Sequence, residues 1–336
     1  MATTMQDVAR LAGVSVKTVS NVVNDYPYVR RETRERVMAA INELGYQINA
    51  SARNLRRGRT GMIGLALPML SLPYFAELAE SVIAAAEERG LVVVIEQTGA
   101  DRARELDALH GSRRTMTDGL IYSPLALGPE DEERLPDSPP LVLLGERIFS
   151  DRVDHVTMRN VEAARAATAY LLGLGRRRIA VVGVHPGERV GSAALRVQGY
   201  EQALQDAGLP LDRALYGEVG PWGRAAGAQA IGRLLDSSPD GLPDAVFGLN
   251  DTLAIGAMHE LQVRGIRVPE DVVVIGFDDI EEAQYSRPTL TSVHFDRDEI
   301  AQGAVELLEA RVTGRARAPR RVEAAFRIAE RSSTGG

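Results

Sequence analysis

The first sixty residues carry side chains that could bind phosphate groups. Ten basic residues stand there against five acidic ones, which gives this segment a charge of +5 in a chain whose total charge is −7. The other residues therefore carry −12. Cationic side chains that neutralise backbone phosphates supply much of the affinity of proteins for DNA, so a basic segment on an acidic body is typical of a DNA-binding domain. The alternative is ordinary scatter of surface charge. The basic residues are Arg10, Lys17, Arg30, Arg31, Arg34, Arg36, Arg53, Arg56, Arg57 and Arg59.

The residue types that several kinds of catalysis need are missing from the sequence. The chain has no cysteine, which excludes disulfides, thiolate zinc sites and cysteine nucleophiles. Lys17 is the only lysine, so a Walker A motif and a Schiff-base lysine elsewhere are excluded. There is no Gly-x-Ser-x-Gly, His-Glu-x-x-His or Gly-x-Gly-x-x-Gly motif, and residues 187–192, GERVGS, lack the Gly-Lys pair of a phosphate-binding loop. We therefore predict no enzyme activity, no metal site and no cofactor.

Two short amphipathic helices are predicted within residues 4–24, TMQDVARLAGVSVKTVSNVVN. Gly13 suits the left-handed conformation that ends a helix, and Ser15 is a favourable N-cap for the next one. Helices this short cannot bury their apolar sides alone, so they must pack on a third helix. The pattern predicts a helix-turn-helix, whose second helix usually lies in the DNA major groove. The apolar positions at helical spacing are Val8, Ala9, Leu11, Ala12, Val16, Val19, Val22 and Val23.

Two further helices are predicted after this motif. Residues 33–44, TRERVMAAINEL, form the third helix, and Gly45 is placed to end it. Residues 49–59, NASARNLRRGR, are rich in arginine, and a helix of this length is marginal in isolation. The inner face of the third helix is predicted to hold Val37, Ala40, Ile41 and Leu44.

After Thr60, apolar runs of strand length alternate with helical patterns. Strands that are apolar throughout and separated by helices indicate buried parallel sheets. The series is too long for one sheet, so we predict two α/β subdomains, with the chain crossing between them near 159–162, 289–292 and 320–324. Ligands in such folds lie at the carboxyl ends of strands, which a cleft between subdomains brings together. The predicted strands are 62–68, 91–98, 119–124, 141–147, 179–185, 245–251 and 272–279, and the predicted helices are 75–90, 161–174, 193–207 and 252–264.

No targeting or membrane segment is recognisable in the sequence. The N-terminus has no charged and then apolar run that ends in a cleavage site, and no apolar stretch reaches membrane-spanning length. We expect a cytoplasmic protein.

A set of motifs in fixed order and spacing carries a family resemblance. They are VARLAGVSVKTVSNVVN, TRERV with AINELGY, SARNLRRGRTGMIGL, NDTLAIGAMHEL and GIRVPEDVVVIGFDD. Together they resemble the LacI/GalR family of bacterial transcriptional regulators over nearly the whole chain. The fold class expected is an all-α helix-turn-helix head plus an α/β periplasmic-binding-protein-like core of two parallel-sheet subdomains.

The expected domains follow from these motifs. Residues 1–48 form the helix-turn-helix domain, 49–59 the hinge helix and 60–336 the effector-binding and dimerisation core. Within the core, the N subdomain takes about 60–160 and 292–321, and the C subdomain takes about 161–290 and 322–336.

The resemblance implies that the second helix reads bases through Val16, Lys17 and Asn21. Lysine donates to guanine, asparagine pairs with adenine, and valine packs on a thymine methyl group. Thr18 and Ser20 are implied phosphate contacts. Many relatives carry arginine where this chain has Asn21, so adenine is favoured at that base. The alternatives are helix packing for Val16 and a solvated surface position for Lys17.

In relatives the hinge helix orders on operator DNA and inserts a leucine into the minor groove at the centre of a palindrome. Leu55 holds that position, and Ala52, Arg53 and Arg56 complete the implied contacts. An apolar wedge kinks the duplex at a cost of a few kcal/mol, which wider contact offsets. The alternative is that Leu55 packs against the core. Because the helix is marginal, a small effector-driven shift between two subunits could melt it.

The resemblance also implies an effector pocket between the subdomains. Arg196 matches an arginine that binds ligand hydroxyls or carboxylates, and Trp222, the only tryptophan, matches an aromatic residue against the ligand. The alternatives are strand-end capping for Asn250 and Asp278 and core packing for Trp222, while Asp279 is interpreted as structural. Two departures from the family pattern are Arg30, where relatives often have a serine N-cap, and Arg159, where they often have aspartate. The implied effector contacts are Tyr74, Phe75, Glu146, Ser192, Arg196, Trp222, Asn250 and Asp278.

These expectations combine into a homodimeric repressor of carbohydrate-utilisation genes. Its partners would be a palindromic operator and a mono- or disaccharide effector. The alternatives are a regulator that responds to a nucleobase or another metabolite, a sugar-acting enzyme, and a solute-binding receptor. The tail at 331–336, RSSTGG, has no leucine heptads, which favours a dimer over a tetramer.

Overall fold

The computed structural model describes residues 3–23, 26–46, 59–237, 241–316 and 318–335. The chain divides into two compact units, Met1–Gly61 and Met62–Gly336. Residues 49–58 of the predicted hinge helix, with Ala52, Arg53, Leu55 and Arg56, lie outside the described residues.

The described part of the small unit is helical. Thr4 begins the first helix with a capping box to Asp7, and Gly13 ends it at φ 62°, in the left-handed conformation predicted for it. Ser15 Oγ accepts from the Thr18 amide at 3.1 Å, which confirms the predicted N-cap. Arg30 precedes the third helix without a capping hydrogen bond, because a guanidinium has no acceptor. The helices are α1 (Met5–Ala12), α2 (Val16–Val23) and α3 (Arg31–Glu43).

The core of the small unit joins one apolar side from each helix. Its fully buried centre is Val8, Val19 and Val37. The predicted inward position of Leu11 is wrong, because this side chain is 46% exposed. A helix turns about 100° per residue, so Leu11 lies roughly 100° from the centre of the face that holds Val8 and the neighbouring alanines. The other buried members are Ala9, Ala12, Val22, Ala40 and Ile41.

The large unit contains two lobes, each built on one sheet. In the described residues, the first sheet has the strand order β11-β5-β4-β3-β1-β2 and the second β12-β10-β9-β8-β6-β7. All neighbours are parallel except β10 and β12, as the continuous apolar runs predict. The strands are β1 (Met62–Leu67), β2 (Val92–Gln97), β3 (Gly119–Tyr122), β4 (Leu141–Leu144), β5 (Asp154–Met158), β6 (Ile179–Val184), β7 (Tyr216–Glu218), β8 (Ala245–Gly248), β9 (Val273–Phe277), β10 (Thr291–Phe295), β11 (Arg321–Ala324) and β12 (Phe326–Ala329).

Helices connect these strands and pack on the sheets. Single 3₁₀ segments lie at Ser112–Met116, Pro129–Arg134, Arg213–Leu215 and Ser332–Thr334. The α-helices are α4 (Pro73–Glu87), α5 (Arg102–His110), α6 (Asn160–Gly173), α7 (Ser192–Asp206), α8 (Arg224–Ser237), α9 (Asp251–Val263), α10 (Glu282–Tyr285) and α11 (Arg297–Val312).

The chain passes between the lobes three times. It leaves the first lobe after Met158, returns after Phe295 and crosses finally at Ala325, between β11 and β12. The second crossing predicted at 289–292 is wrong, because β10 pairs with β9 and so belongs to the second sheet. The third lies just after the predicted 320–324, because β11 still pairs with β5.

Strand β2 is the edge of the first sheet and departs from the prediction of buried strands. Val92 is 59% exposed and Val94 is 43% exposed. Among the described residues, only β1 pairs with this strand, and no other strand of this part of the chain covers its outer side. An apolar edge strand of this kind usually needs a cover.

Helices α8 and α9 pack closely enough to require glycine. A Cβ atom on Gly256 would overlap the carbonyl oxygen of Arg224, and one on Gly227 would overlap that of Leu253. We expect Gly256→Ala to lower the free energy of unfolding by about 1–3 kcal/mol, because backbone atoms must move apart. Urea unfolding at fixed protein concentration measures this.

Gly303 provides the matched control for this substitution. It also lies within a helix, but no atom is within 4 Å of the position of an added Cβ. Gly303→Ala should raise stability by about 0.5–1 kcal/mol, since alanine is the better helix former. Equal destabilisation by both substitutions would contradict the packing argument.

Candidate functional sites

The residues of helix α2 that are predicted to contact DNA lie on different sides of this helix. Val16 is 41% exposed, so it does not fill the core, and Lys17 is exposed beside it. Thr18 and Asn21 are half-buried. Ser20 is 8% exposed, next to the buried Val19, and its phosphate contact stays a prediction.

A cavity of about 550 Å³ lies between the two lobes of the large unit, in the size range of small-molecule sites. It collects residues that follow strands β4, β8 and β9 and residues from the first turns of α4 and α7. This is the carboxyl edge where ligands of parallel sheets bind. The structure brings all eight predicted effector contacts to its wall: Tyr74, Phe75, Glu146, Ser192, Arg196, Trp222, Asn250 and Asp278.

Arg196 is the most constrained of these side chains. It is 3% exposed, and its guanidinium lies 3.6 Å from the centre of the Phe277 ring. Nε donates to Asn160 Oδ1 at 2.7 Å, and Nη1 donates to the Leu249 carbonyl at 2.5 Å. Nη2 lies 3.2 Å from Asp278 Oδ1. Arginine is suited to this position because its fork of donors is planar and always charged.

Asp278 is the buried partner of this arginine. It has φ 100°, a conformation that non-glycine residues rarely adopt and that often marks functional positions. Burial raises its pKa to about 6, and the opposing attraction of Arg196 and Arg297 does not cancel this rise. Among the described residues, no group donates a well-aligned hydrogen bond to Oδ1. The carboxylate is therefore held by an ion pair with Arg196 rather than by a well-aligned hydrogen bond.

Glu146 connects the two lobes. Its Oε1 accepts from Thr157 Oγ1 at 3.1 Å in the first lobe, and its Oε2 accepts from Ser192 Oγ at 2.8 Å in the second. On the same wall, burial and the nearby carboxylates of Asp278 and Glu146 raise the pKa of Tyr74, so this phenol stays neutral.

Two predicted alternatives can be judged from the hydrogen bonds. Asn250 Oδ1 accepts from the Leu253 amide at 2.8 Å, so this residue caps α9 as well as lining the cavity. Asp279 accepts from His294 Nδ1 at 2.8 Å and pairs with Arg331 at 2.7 Å, which confirms its structural role. Arg159 pairs with Glu323 of β11 at 3.4 Å.

The sequence prediction missed a polar group on the cavity wall, formed by Arg147, His185 and Glu188. His185 Nδ1 lies 2.6 Å from Glu188 Oε2, and Nε2 lies 2.9 Å from the Gly220 carbonyl. Both partners can only accept, so the doubly protonated imidazolium satisfies them best. Arg147, from the other lobe, donates to the Val190 carbonyl at 2.6 Å and lies 3.7 Å from Glu188 Oε1. Such polar loop residues show no periodicity that could identify them.

Gly191 makes room for this group. It has φ 130°, and a Cβ atom there would overlap Glu188 Oε1 and come within 3.1 Å of Arg147 Nη1. Trp222 completes the wall, since its ring centre is 5.6 Å from that of His185 and its Nε1 donates to the Gly183 carbonyl at 2.9 Å.

A pH-dependent signal is expected from His185. Its hydrogen bond to Glu188 raises its pKa above the ordinary 6.5, so the stabilisation is complete below 6.5 and is lost as the pH rises through the higher folded-state pKa. A protonated imidazole quenches a neighbouring indole. Emission from Trp222, the only tryptophan, should therefore rise with a midpoint above 6.5 in a titration between about pH 5 and 9.

Variants separate the groups that face His185 in this titration. Glu188→Gln should lower the midpoint, and His185→Gln should abolish the transition. Asp278 titrates near 6, so Asp278→Asn removes its contribution. The charge of Arg147 acts against Glu188 and lowers the His185 pKa. An unchanged midpoint in Glu188→Gln would mean that the carboxylate does not hold the imidazolium.

Within 3–23, 26–46 and the described parts of the large unit, no group of three or more His, Cys, Asp or Glu residues could hold a metal ion. No helix in those ranges has the length and apolar character needed to span a membrane.

Family models match both units. Residues 4–49 match the model described as bacterial regulatory proteins, lacI family, and residues 168–334 match a periplasmic binding protein-like domain. The chain is 34% identical over 300 residues to the HTH-type transcriptional regulator DegA of Bacillus subtilis, covering 87% of this chain and 86% of that protein. It is also 34% identical over 312 residues to the ribose operon repressor of Escherichia coli, covering 92% and 93%.

Solved structures show the same similarity. A putative transcriptional regulator of the LacI family from Sanguibacter keddieii is 49% identical, with TM-score 0.76, over 83% of this chain and all of that chain. The complex of the transcriptional regulator CelR with cellobiose is 31% identical, with TM-score 0.72, over 98% and 99%. The Lac repressor dimer bound to operator is 28% identical, with TM-score 0.85, over 99% of both chains.

Proposed function

We propose that this chain, which belongs to the LacI family of DNA-binding transcriptional repressors, controls carbohydrate-utilisation genes in the cytoplasm and responds to a sugar. The observation that carries the sugar response is the cavity wall. Buried carboxylate, guanidinium and amide groups stand there beside three aromatic residues. Such polar groups bind adjacent hydroxyls, and an aromatic face packs on the apolar face of a sugar ring.

The names of two similar proteins support this proposal. One was solved in complex with cellobiose, and another is the repressor of a ribose operon. A nucleobase is the second candidate effector, because the Trp222 ring and the Asn250 amide also suit a planar heterocycle. The proposed contacts remain Tyr74, Phe75, Glu146, Ser192, Arg196, Trp222, Asn250 and Asp278.

We assign operator reading to α2. Val16 and Lys17 are exposed at its start, which is where a recognition helix contacts base edges. Thr18 and Asn21 are half-buried and still accessible. In the hinge segment, the proposed minor-groove contacts are Ala52, Arg53, Leu55 and Arg56.

The proposed form is a homodimer, because a palindromic operator needs two copies of α2. The surface that suits the second copy is the outer side of β2, where Val92 and Val94 are exposed. The Lac repressor structure with operator is a dimer, which supports this arrangement.

The proposed response runs through contacts that join the lobes. Besides Glu146 with Ser192, the Glu281 amide donates to Glu77 Oε1 at 2.9 Å and Arg297 donates to the Asp278 carbonyl at 2.7 Å. An effector on Asp278 changes the balance of these contacts. The resulting shift of the lobes would move the two subunits of the dimer and melt the hinge helix, which lowers operator affinity.

Operator binding with and without sugars tests the proposal. DNA selected from a random palindromic pool serves as operator, and a thermal-shift screen of mono- and disaccharides identifies ligands. A ligand should change operator affinity, and that affinity should fall steeply with salt. Binding of sugars with no change in operator affinity would refute the regulatory role.

Lys17→Ala should weaken binding to the selected operator by about 1–3 kcal/mol and relax the preference at one base pair. Arg10→Ala, which removes a charge from the exposed side of α1, should weaken selected and random DNA equally. Equal effects of the two substitutions would place base reading elsewhere.

A further inference from the structure

The cavity wall holds as many positively charged side chains as negatively charged ones when His185 is protonated. Three carboxylates stand there, together with two guanidinium groups and the His185 imidazolium. The carboxylates belong to Glu146, Glu188 and Asp278, and the guanidinium groups belong to Arg147 and Arg196. The wall as a whole is therefore neutral while His185 is protonated.

Each cation on the wall is already bound by acceptors of the chain. Arg196 uses Nε, Nη1 and Nη2 on Asn160, Leu249 and Asp278. Arg147 donates through Nε to the Leu127 carbonyl at 3.3 Å and through Nη1 to that of Val190.

Both ring nitrogens of His185 are hydrogen-bonded, Nδ1 to Glu188 and Nε2 to the Gly220 carbonyl. To bind the imidazolium, a phosphate or carboxylate on a ligand would have to displace one of these two acceptors. Displacing a carboxylate from a buried cation leaves that carboxylate unpaired, which is strongly unfavourable.

Three of the six charged groups on the wall are carboxylates, whose oxygens accept hydrogen bonds from ligand hydroxyls. Asp278 is 5% exposed, and its Oδ1 lies 3.2 Å from Arg196 Nη2 without a well-aligned hydrogen bond among the described residues. A hydroxyl group donates to such an oxygen, whereas an anion is repelled by it. We therefore propose that the effector is an uncharged polyhydroxy compound and that sugar phosphates, sugar acids and nucleotides are excluded.

This inference rests on the proposed function and narrows it. Much of the remaining wall is apolar, with side chains such as Leu72, Leu125 and Ile300, which suits the carbon-bound face of a sugar ring. Glu188 is the residue most directly responsible for excluding anionic ligands, because it neutralises both Arg147 and His185.

Inorganic phosphate is the probe for this exclusion, with chloride at equal ionic strength as reference. Binding is followed by Trp222 emission and by calorimetry near pH 6. The natural chain should show no saturable response. Glu188→Gln should bind phosphate at least ten-fold more tightly, because it leaves two cations without their carboxylate. Glu270→Gln, an exposed position outside the cavity wall, makes the same charge change and should show no gain.

Two outcomes would overturn the inference. One is saturable phosphate binding by the natural chain that Arg147→Ala removes. The other is no gain in phosphate binding by Glu188→Gln, because Glu188 would then not be the group that keeps the cations occupied.

Matched ligand pairs give the second arm of the test. Glucose, glucose 6-phosphate and gluconate, and ribose and ribose 5-phosphate, are compared for binding and for their effect on operator affinity. An anionic member that binds tighter than its neutral partner and shifts operator affinity overturns the inference but leaves effector regulation standing. A neutral sugar that binds without any effect on operator affinity refutes effector regulation but leaves the inference standing.

Discussion

Arg196→Ala is expected to lower the free energy of unfolding by about 3–5 kcal/mol, because it leaves the Asp278 carboxylate buried without its cation. The same substitution removes the partner of Asn160 and of the Leu249 carbonyl. Urea unfolding at fixed protein concentration measures the loss. The chain that stays folded should still bind operator but ignore the effector.

Two comparisons show whether the loss comes from the buried charge. Arg165→Ala breaks an exposed pair with Asp206 and should cost less than about 1 kcal/mol. Adding Asp278→Asn to Arg196→Ala should recover part of the stability, since no unpaired charge remains. If the double variant is as unstable as the sum of the single ones, then Asp278 is not the source of the cost. A normal effector response in Arg196→Ala would place the site elsewhere.

Val94→Asp is expected to abolish the proposed homodimer. Two-fold symmetry would place both copies of the new carboxylate in the interface, at about 3–5 kcal/mol for each unpaired buried charge. The dissociation constant of the dimer should then rise by more than about a thousand-fold. Operator affinity should fall with it, because one copy of α2 reads only half of a palindrome.

Sedimentation over a range of protein concentrations measures this change. Leu174→Asp is the control, because Leu174 is similarly exposed, at 43%, but lies after α6 in the other lobe. It should leave the dimer intact. A stable Val94→Asp dimer would show that the outer side of β2 is not the interface.

The fold could be predicted from apolar patterns wherever a strand or helix is buried on most sides. Strands such as β1 and β9, and helices such as α9, lie where their sequences predict them. Strands β5 and β11 escaped prediction because polar residues interrupt them, and β7 has only three residues. Strand β2 was located correctly, but its exposure was not foreseen, because an edge strand and a central one share the same apolar sequence.

The residues of the site also fall into those that the sequence predicts and those that it does not. All eight predicted effector contacts line the cavity, and the family motifs that predict them mark strand ends and the first turns of helices. His185 and Glu188 lie in one loop of the second lobe, and Arg147 reaches that loop from the first lobe only because the two lobes come together. Within residues 187–192, only Ser192 was predicted as an effector contact, whereas Glu188 was not singled out although it pairs with both Arg147 and His185.

The three crossings of the chain have a consequence for synthesis on the ribosome. Helix α11, which packs on β3, β4 and β5 with Ile300 and Leu308, follows the second lobe in the sequence. At about 5–20 residues per second, the second lobe takes roughly 7–27 s to emerge. During that interval the first lobe shows an uncovered apolar sheet. In a nascent chain of this architecture, chaperones can therefore bind the apolar sheet for a limited time, until α11 emerges and covers it.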